Sequence, residues 1–205
     1  MNIEEKLNMR KIWLIPVLAI VVMLGIGCSK NIDKNKGDIV PEINRESILL
    51  EAKKNKLIMD DAEKAQMADM SVQETDEQKI AIKDPKKFLP FLTAKGRSGA
   101  LADVTAGSSY GLSNIKTDGN VFTVTASLGG LPETSDKYFY EAWVVKRGSD
   151  MEVLSIGKLE KNENDWISVY QTTKSLSEYD FFVITLEPDD EDQSPAEHIL
   201  EGIIR

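Results

Sequence analysis

In 205 residues the chain has one cysteine, Cys28, and one histidine, His198. One cysteine allows no intramolecular disulfide and no multi-cysteine zinc site. Blue copper, which takes two imidazoles and a thiolate, is excluded by counting. Any Ser–His or Cys–His chemistry would have a single imidazole to draw on, and no Gly-x-Ser-x-Gly elbow is present. Positive charge is scarce too. Lys and Arg number 25 against 34 Asp and Glu, for a net charge of −9, so the clustered basic surface that holds nucleic acid is missing. Long apolar runs are also lacking. The longest, Ile12 to Gly27, has 16 residues and contains Pro16, short of the roughly 20 that a bilayer-spanning helix needs.

What that run does have is context. Lys6, Arg10 and Lys11 precede it and Cys28-Ser29 come directly after it, the layout of a secretory signal. The ending Leu24-Gly25-Ile26-Gly27-Cys28 resembles a bacterial lipobox, in which the cysteine is acylated and becomes the mature N-terminus; Gly25 stands where that pattern usually has Leu. The alternative is an uncleaved signal anchor with Cys28 just outside the membrane. Residues 1–28 are thus expected to be a signal peptide or anchor helix, and both readings put the rest of the chain outside the cytoplasm. Residues 1–27 hold three cations and two anions, so the remainder of the chain is slightly more acidic than the whole. An acidic body is repelled by anionic lipid, which leaves anchoring to the acyl chains.

Residues 29–95 read as a tether and a partly helical spacer. Ser29 to Asp38 is polar and flexible in composition, whereas Glu46 to Gln78 has no Gly or Pro and is rich in helix formers. Asn44 or Ser47 can cap that segment. Its apolar residues spread round most of a helix, so the pattern predicts a marginal stalk, with a docking helix as the alternative. Met59, Met67 and Met70 share no clean face and suit gap-filling better than a copper site. Asp84-Pro85 and Leu89-Pro90 end any helix.

From residue 96 the texture changes to short alternating runs between turn residues. Strands are expected over Ala100–Thr105, Leu112–Thr117, Val121–Leu128, Tyr138–Lys146, Met151–Leu159, Asp165–Gln171, Phe181–Glu187 and His198–Ile204. Asp118-Gly119 suits a tight hairpin. In Val121–Leu128, Phe122, Val124, Ala126 and Leu128 alternate with Thr123, Thr125 and Ser127, which predicts one buried and one wetted face. Tyr138–Lys146 is apolar on both faces apart from Glu141, as a strand covered on both sides would be. Seven or eight strands in about 110 residues predict an all-β domain, an immunoglobulin-like antiparallel β-sandwich. Pro188, which cannot donate to a ladder, should end its strand.

Gly130-Leu131-Pro132, Tyr140 with Trp143, Gly157, Ile184-Thr185-Leu186-Glu187-Pro188, Pro195 and Gly202 occur in this order over residues 99–205. In that order they resemble the C-terminal, extracytoplasmic domain of the anti-sigma-K factor family. The segment after Pro188 is acidic here, where the family pattern is usually Gly-rich. Only eleven residues precede the apolar run, so the resemblance is expected to extend to the outer domain and not to a sigma-binding one. It implies a sensory or protein-binding fold within an envelope signalling system.

The acidic run Glu187, Asp189, Asp190, Glu191 and Asp192 has oxygens enough for calcium but lacks the Gly-punctuated pattern of a calcium loop; a solvated acidic loop is the plainer reading. Trp166, at a strand start beside Asp165, is a candidate for a surface contact, whereas Trp143 belongs to the core pattern. The residues offered for ligand binding are therefore Trp166, Glu187, Asp189, Asp190 and Asp192, with Cys28 for lipid. No catalytic residue, metal or cofactor is assigned. The chain is expected to be a membrane-tethered, non-catalytic binding or regulatory module with an unidentified envelope partner. The alternatives are a structural envelope lipoprotein and a hydrolase using the acidic loop and His198.

Overall fold

The structure, a computed structural model, describes residues 44–70, 77–93, 95–105 and 107–205. All lie in one compact unit, Ile43–Arg205. The apolar run, Cys28 and the tether fall outside the described residues. No described helix is long and apolar enough to cross a membrane.

The domain is all-β and antiparallel. Its strands are β1 (Arg97–Asp103), β2 (Tyr110–Asp118), β3 (Val121–Gly129), β4 (Tyr138–Lys146), β5 (Glu152–Lys158), β6 (Glu160–Asn162), β7 (Asp165–Thr172), β8 (Phe181–Pro188) and β9 (Glu197–Ile203). Nine strands form one sheet in the order β5-β4-β8-β9-β1-β2-β3-β7-β6. The sequence pattern led to seven or eight, because β6 is only three residues long and reads as part of a turn. That short strand has a structural consequence. β5 and β6 are consecutive in the chain with only Leu159 between them, yet they sit at opposite ends of the sheet. The segment leaves β4, passes Leu159, whose N–H donates to the Tyr140 carbonyl at 2.9 Å, and joins β7. The two ends of the sheet are thus carried toward each other by one extended segment, and the sheet is nearly barrel-shaped.

Alternation then fixes what is inside. Tyr140, Ala142 and Val144 of β4 and Phe182 and Ile184 of β8 join Leu101, Val124, Leu128, Tyr170 and Leu200 in the interior cluster. Each large side chain buried there contributes about 1.5–3 kcal/mol. The intervening residues Trp143, Val145, Phe181 and Val183 point outward, yet they are buried as well. Their cover is the spacer.

The spacer forms two short helices where the sequence pattern suggested one: α1 (Arg45–Lys54) and α2 (Asp61–Ala68). The caps divide it. Asn44 accepts from the Ser47 N–H at 3.0 Å, and Asp60 forms a capping box with Glu63. Between the helices, Asn55 caps the end of α1 and Lys56 takes a positive φ of 57°. This arm is no free stalk. Met59 and Met67 have no exposed surface and pack on Trp143 and Phe181.

A second cover corrects the reading of β3. Thr123 and Thr125, expected on a wetted face, are buried because the 3-10 helix Pro85–Thr93 lies against β2, β3 and β7. Just before it, the Ile80 N–H donates to the Gln171 carbonyl at 2.8 Å, and Thr173 donates to Gln78 at 3.1 Å.

Candidate functional site

Two places concentrate polar side chains. The first is a cleft of about 220 Å³ beside the acidic loop, lined by Phe139, Glu141, Trp143, Ser155, Lys158, Asp189, Glu191 and Asp192 among others. A bulge shapes its floor. Ala142 faces Gly157 and Trp143 faces Ser155, so Ile156 is an extra residue in β5. Gly157 takes a φ of 100° there, which a side chain would resist. The Ser155 hydroxyl donates to the Glu141 carboxylate and accepts from the Gly157 N–H at 3.2 Å. Lys158 sits 3.5 Å from the centre of the Phe139 ring and 3.6 Å from the Asp189 carboxylate.

The loop over this cleft is ordered by its own carboxylates. The Asp192 N–H donates to Asp190 at 3.1 Å, and the Ser194 N–H donates to Asp192 at 2.9 Å. Those bonds from Ser194 hold the Asp192 carboxyl below its usual range. At the loop's base Glu187 is buried, and both its oxygens accept from the Ala196 N–H, at 2.9 and 3.2 Å. Burial pushes the Glu187 carboxyl up, and the Ala196 N–H and the Thr185 hydroxyl only partly offset it.

Of the residues singled out from sequence, Asp189 and Asp192 line the cleft, and Asp190 stands behind them as an acceptor. Glu187 closes the loop from below. Trp166 is elsewhere, on β7, half-buried against Tyr140 with ring centroids 5.4 Å apart, and Lys161 lies 4.7 Å over its face. Its indole N–H is buried without a hydrogen-bond partner. Pro188 is the last residue of β8, as a residue without an N–H should be. Cys28 lies outside the described residues. Phe139 and Glu141 share a face of β4 by alternation, but their meeting with Ser155 and Lys158 was not legible, because the bulge is what puts those two residues, three apart, on one face.

The second place is a buried charged cluster. In a straight strand His198 and Glu201, three apart, would point to opposite faces. In β9 Leu200 pairs with Ile184 and His198 with Thr185, so Ile199 is an extra residue and the two side chains come to one face. His198 Nδ1 lies 2.9 Å from Glu201 Oε1, and Lys64 of α2 lies 2.8 Å from the same oxygen. The Met59 N–H donates to the other oxygen at 2.6 Å. Glu201 has no exposed surface. Burial pushes its carboxyl up, but His198 and Lys64 together outweigh that and hold it below the usual range. An ionised carboxylate only accepts, so Nδ1 carries the imidazole hydrogen. The other ring nitrogen, Nε2, is buried and has no hydrogen-bond partner.

The arrangement is one of attachment. Among the described residues no nucleophile is hydrogen-bonded to His198, and its ring is held by the carboxylate that also holds the arm. Among the described residues no group of three or more His, Cys, Asp or Glu side chains is placed to hold a metal ion. Comparison of the chain with family models, with curated proteins and with solved structures finds no match.

Proposed function

We propose that this chain is a membrane-tethered binding module that works outside the cytoplasm and performs no catalysis. It is held by lipid on Cys28 or by the run Ile12–Gly27 kept as an anchor. The observation that carries the reading is the cleft beside the acidic loop. Its rim is pre-formed, since Asp190 and Asp192 are fixed by backbone N–H groups of the same loop, so a ligand would meet it with little ordering cost. Its wall offers Phe139 and Trp143 beside the carboxylates of Glu141, Asp189 and Asp192, with the mostly exposed Lys158, now over the Phe139 ring and against Asp189, as the cation a partner would displace. That chemistry suits a partner presenting a cation next to apolar surface. The use of His198 in holding the arm speaks against the hydrolase alternative.

The sequence resemblance to the anti-sigma-K outer domain is what supports a partner within an envelope signalling system. The immunoglobulin-like arrangement belongs to the same proposal, with β5-β4-β8-β9 and β1-β2-β3-β7-β6 as its two facing halves. The test is fractionation together with binding. Wild-type protein is expected in the membrane fraction, and a Cys28→Ser variant is expected to keep its leader or lose its lipid. A soluble version of the mature chain is expected to bind envelope material saturably, and less so with Asp189→Asn and Asp192→Asn. Non-saturable binding, unaffected by those changes, would leave a purely structural lipoprotein.

A further inference from the structure

The attachment of residues 44–70 differs from that of the segment that follows it in the chain. Among the described residues no backbone–backbone hydrogen bond joins this arm to the sheet, whereas Gln78 and Ile80 beyond it are stitched to β7 through their backbones. α1 buries none of its residues, and α2 buries only Met67. Ile58 and Met59 complete what the arm inserts. Its polar links all run through side chains. Glu201 accepts from the Met59 N–H and pairs with Lys64, and the Arg147 guanidinium donates to the Lys56 carbonyl at 3.0 Å. Arg45 donates to the Gly107 carbonyl. Helices of ten and eight residues are too short to persist without packing, so the arm is helical only while docked.

We propose that the arm is a strap that undocks from the folded sheet as a unit, with Glu201 as its latch, uncovering the apolar face of Trp143, Val145, Phe181 and Val183. Glu201 is named the latch because it meets the arm at two points, the Met59 N–H and the Lys64 ammonium, where Arg147 and Arg45 each make one link. It is held for that task by His198, which the β9 bulge brings to the same face. The methionines fit such an interface: unbranched and soft, they seat against aromatic rings without demanding one rotamer. If the chain is tethered through Cys28, which rests on the proposed function, the strap is the first described element reached from the membrane. A pull on the tether then reaches the strap before the sheet. The undocking itself does not depend on the tether.

Hydrogen exchange by mass spectrometry on the full chain in detergent tests this. In the wild type, peptides from residues 45–69 are expected to exchange through an opening of their own, faster than peptides from β2, β3 and β8. Glu201→Gln turns charge-assisted bonds into neutral ones and is expected to speed exchange in the arm about ten-fold while leaving β2 and β3 unchanged. Lys64→Ala, on a partly exposed side chain, should act in the same direction with less risk to folding. Hydrogen peroxide should oxidise Met59 and Met67 faster in both variants, at unchanged sheet exchange. A single common rate for arm and sheet in the wild type, or variants that accelerate both alike, would overturn the proposal.

Discussion

Gly202 of β9 and Gly99 of β1 lie where these two paired strands approach each other's backbone closely. A Cβ built on Gly202 would lie 2.2 Å from the Ala100 carbonyl oxygen, and one on Gly99 would lie 2.2 Å from the Ile203 carbonyl oxygen. Both values fall about 0.8 Å short of the 3.0 Å that real Cβ contacts respect. The obstacle is backbone on each side, so no side chain can swing away. Forcing a methyl into such a site costs roughly 1–3 kcal/mol. The stiffer unfolded chain of alanine returns about 0.4–1 kcal/mol. Gly202→Ala is therefore expected to lose about 1–2 kcal/mol in urea or thermal unfolding, a Tm drop of roughly 2–8 °C for a unit of this size. The same close approach supplies a sharper test. Once one methyl has pushed β1 and β9 apart the second has room, so Gly99→Ala with Gly202→Ala should cost less than the sum by about 0.5 kcal/mol or more. Gly119→Ala has open space around it but a φ of 59°, and should cost about 1–2 kcal/mol independently of the other two. An unchanged Tm for Gly202→Ala, or strict additivity of the pair, would refute the close-approach argument.

The buried polar groups give further expectations. Trp143→Phe removes the indole N–H that donates to Thr185 Oγ1 at 2.7 Å, both groups being buried, and should cost about 2 kcal/mol by denaturant titration. Glu187 and Glu201 should impose opposite pH dependences. The Glu187 carboxyl is raised in the folded state, so its unfolded form releases the proton first, and stability falls as pH rises from the unfolded to the folded value. Glu187→Gln should lose that fall in urea titrations across mildly acidic pH. The Glu201 carboxyl is lowered, so its contribution is present above the unfolded carboxylate range and is lost as pH falls through the folded value; Glu201→Gln should flatten that acid limb.

Much of the sheet was legible because its pattern is local. Tyr138–Lys146 is bounded in the structure as its run of apolar residues predicts, and the other long strands differ by a few residues at most. β6 escaped because three residues carry no period. The closing of the sheet depended on Leu159 passing from one end to the other, a long-range event that no window of sequence contains. The arm was hidden by its weak amphipathicity: its few anchors, Ile58, Met59 and Met67, are spread over two helices and the link between them, and the caps Asn55 and Asp60 were the one local sign of the break. The polar sites escaped for a single reason. Both depend on an extra residue in a strand, Ile156 beside the cleft and Ile199 beside Glu201, and an extra residue inverts the alternation from which facing was read. Asp189 and Asp192 were found because an acidic loop announces itself by composition; what they face did not.

The central claim is that the cleft beside the acidic loop receives a partner outside the cytoplasm. The direct measurement is photocrosslinking in living cells, with a photoreactive residue at Gln193, on the rim, and a second at Asn120, in the β2–β3 turn. The account predicts one discrete adduct from position 193, weakened by Asp189→Asn, and none from position 120. The same adducts from both positions, or none from 193 at wild-type abundance, would contradict it.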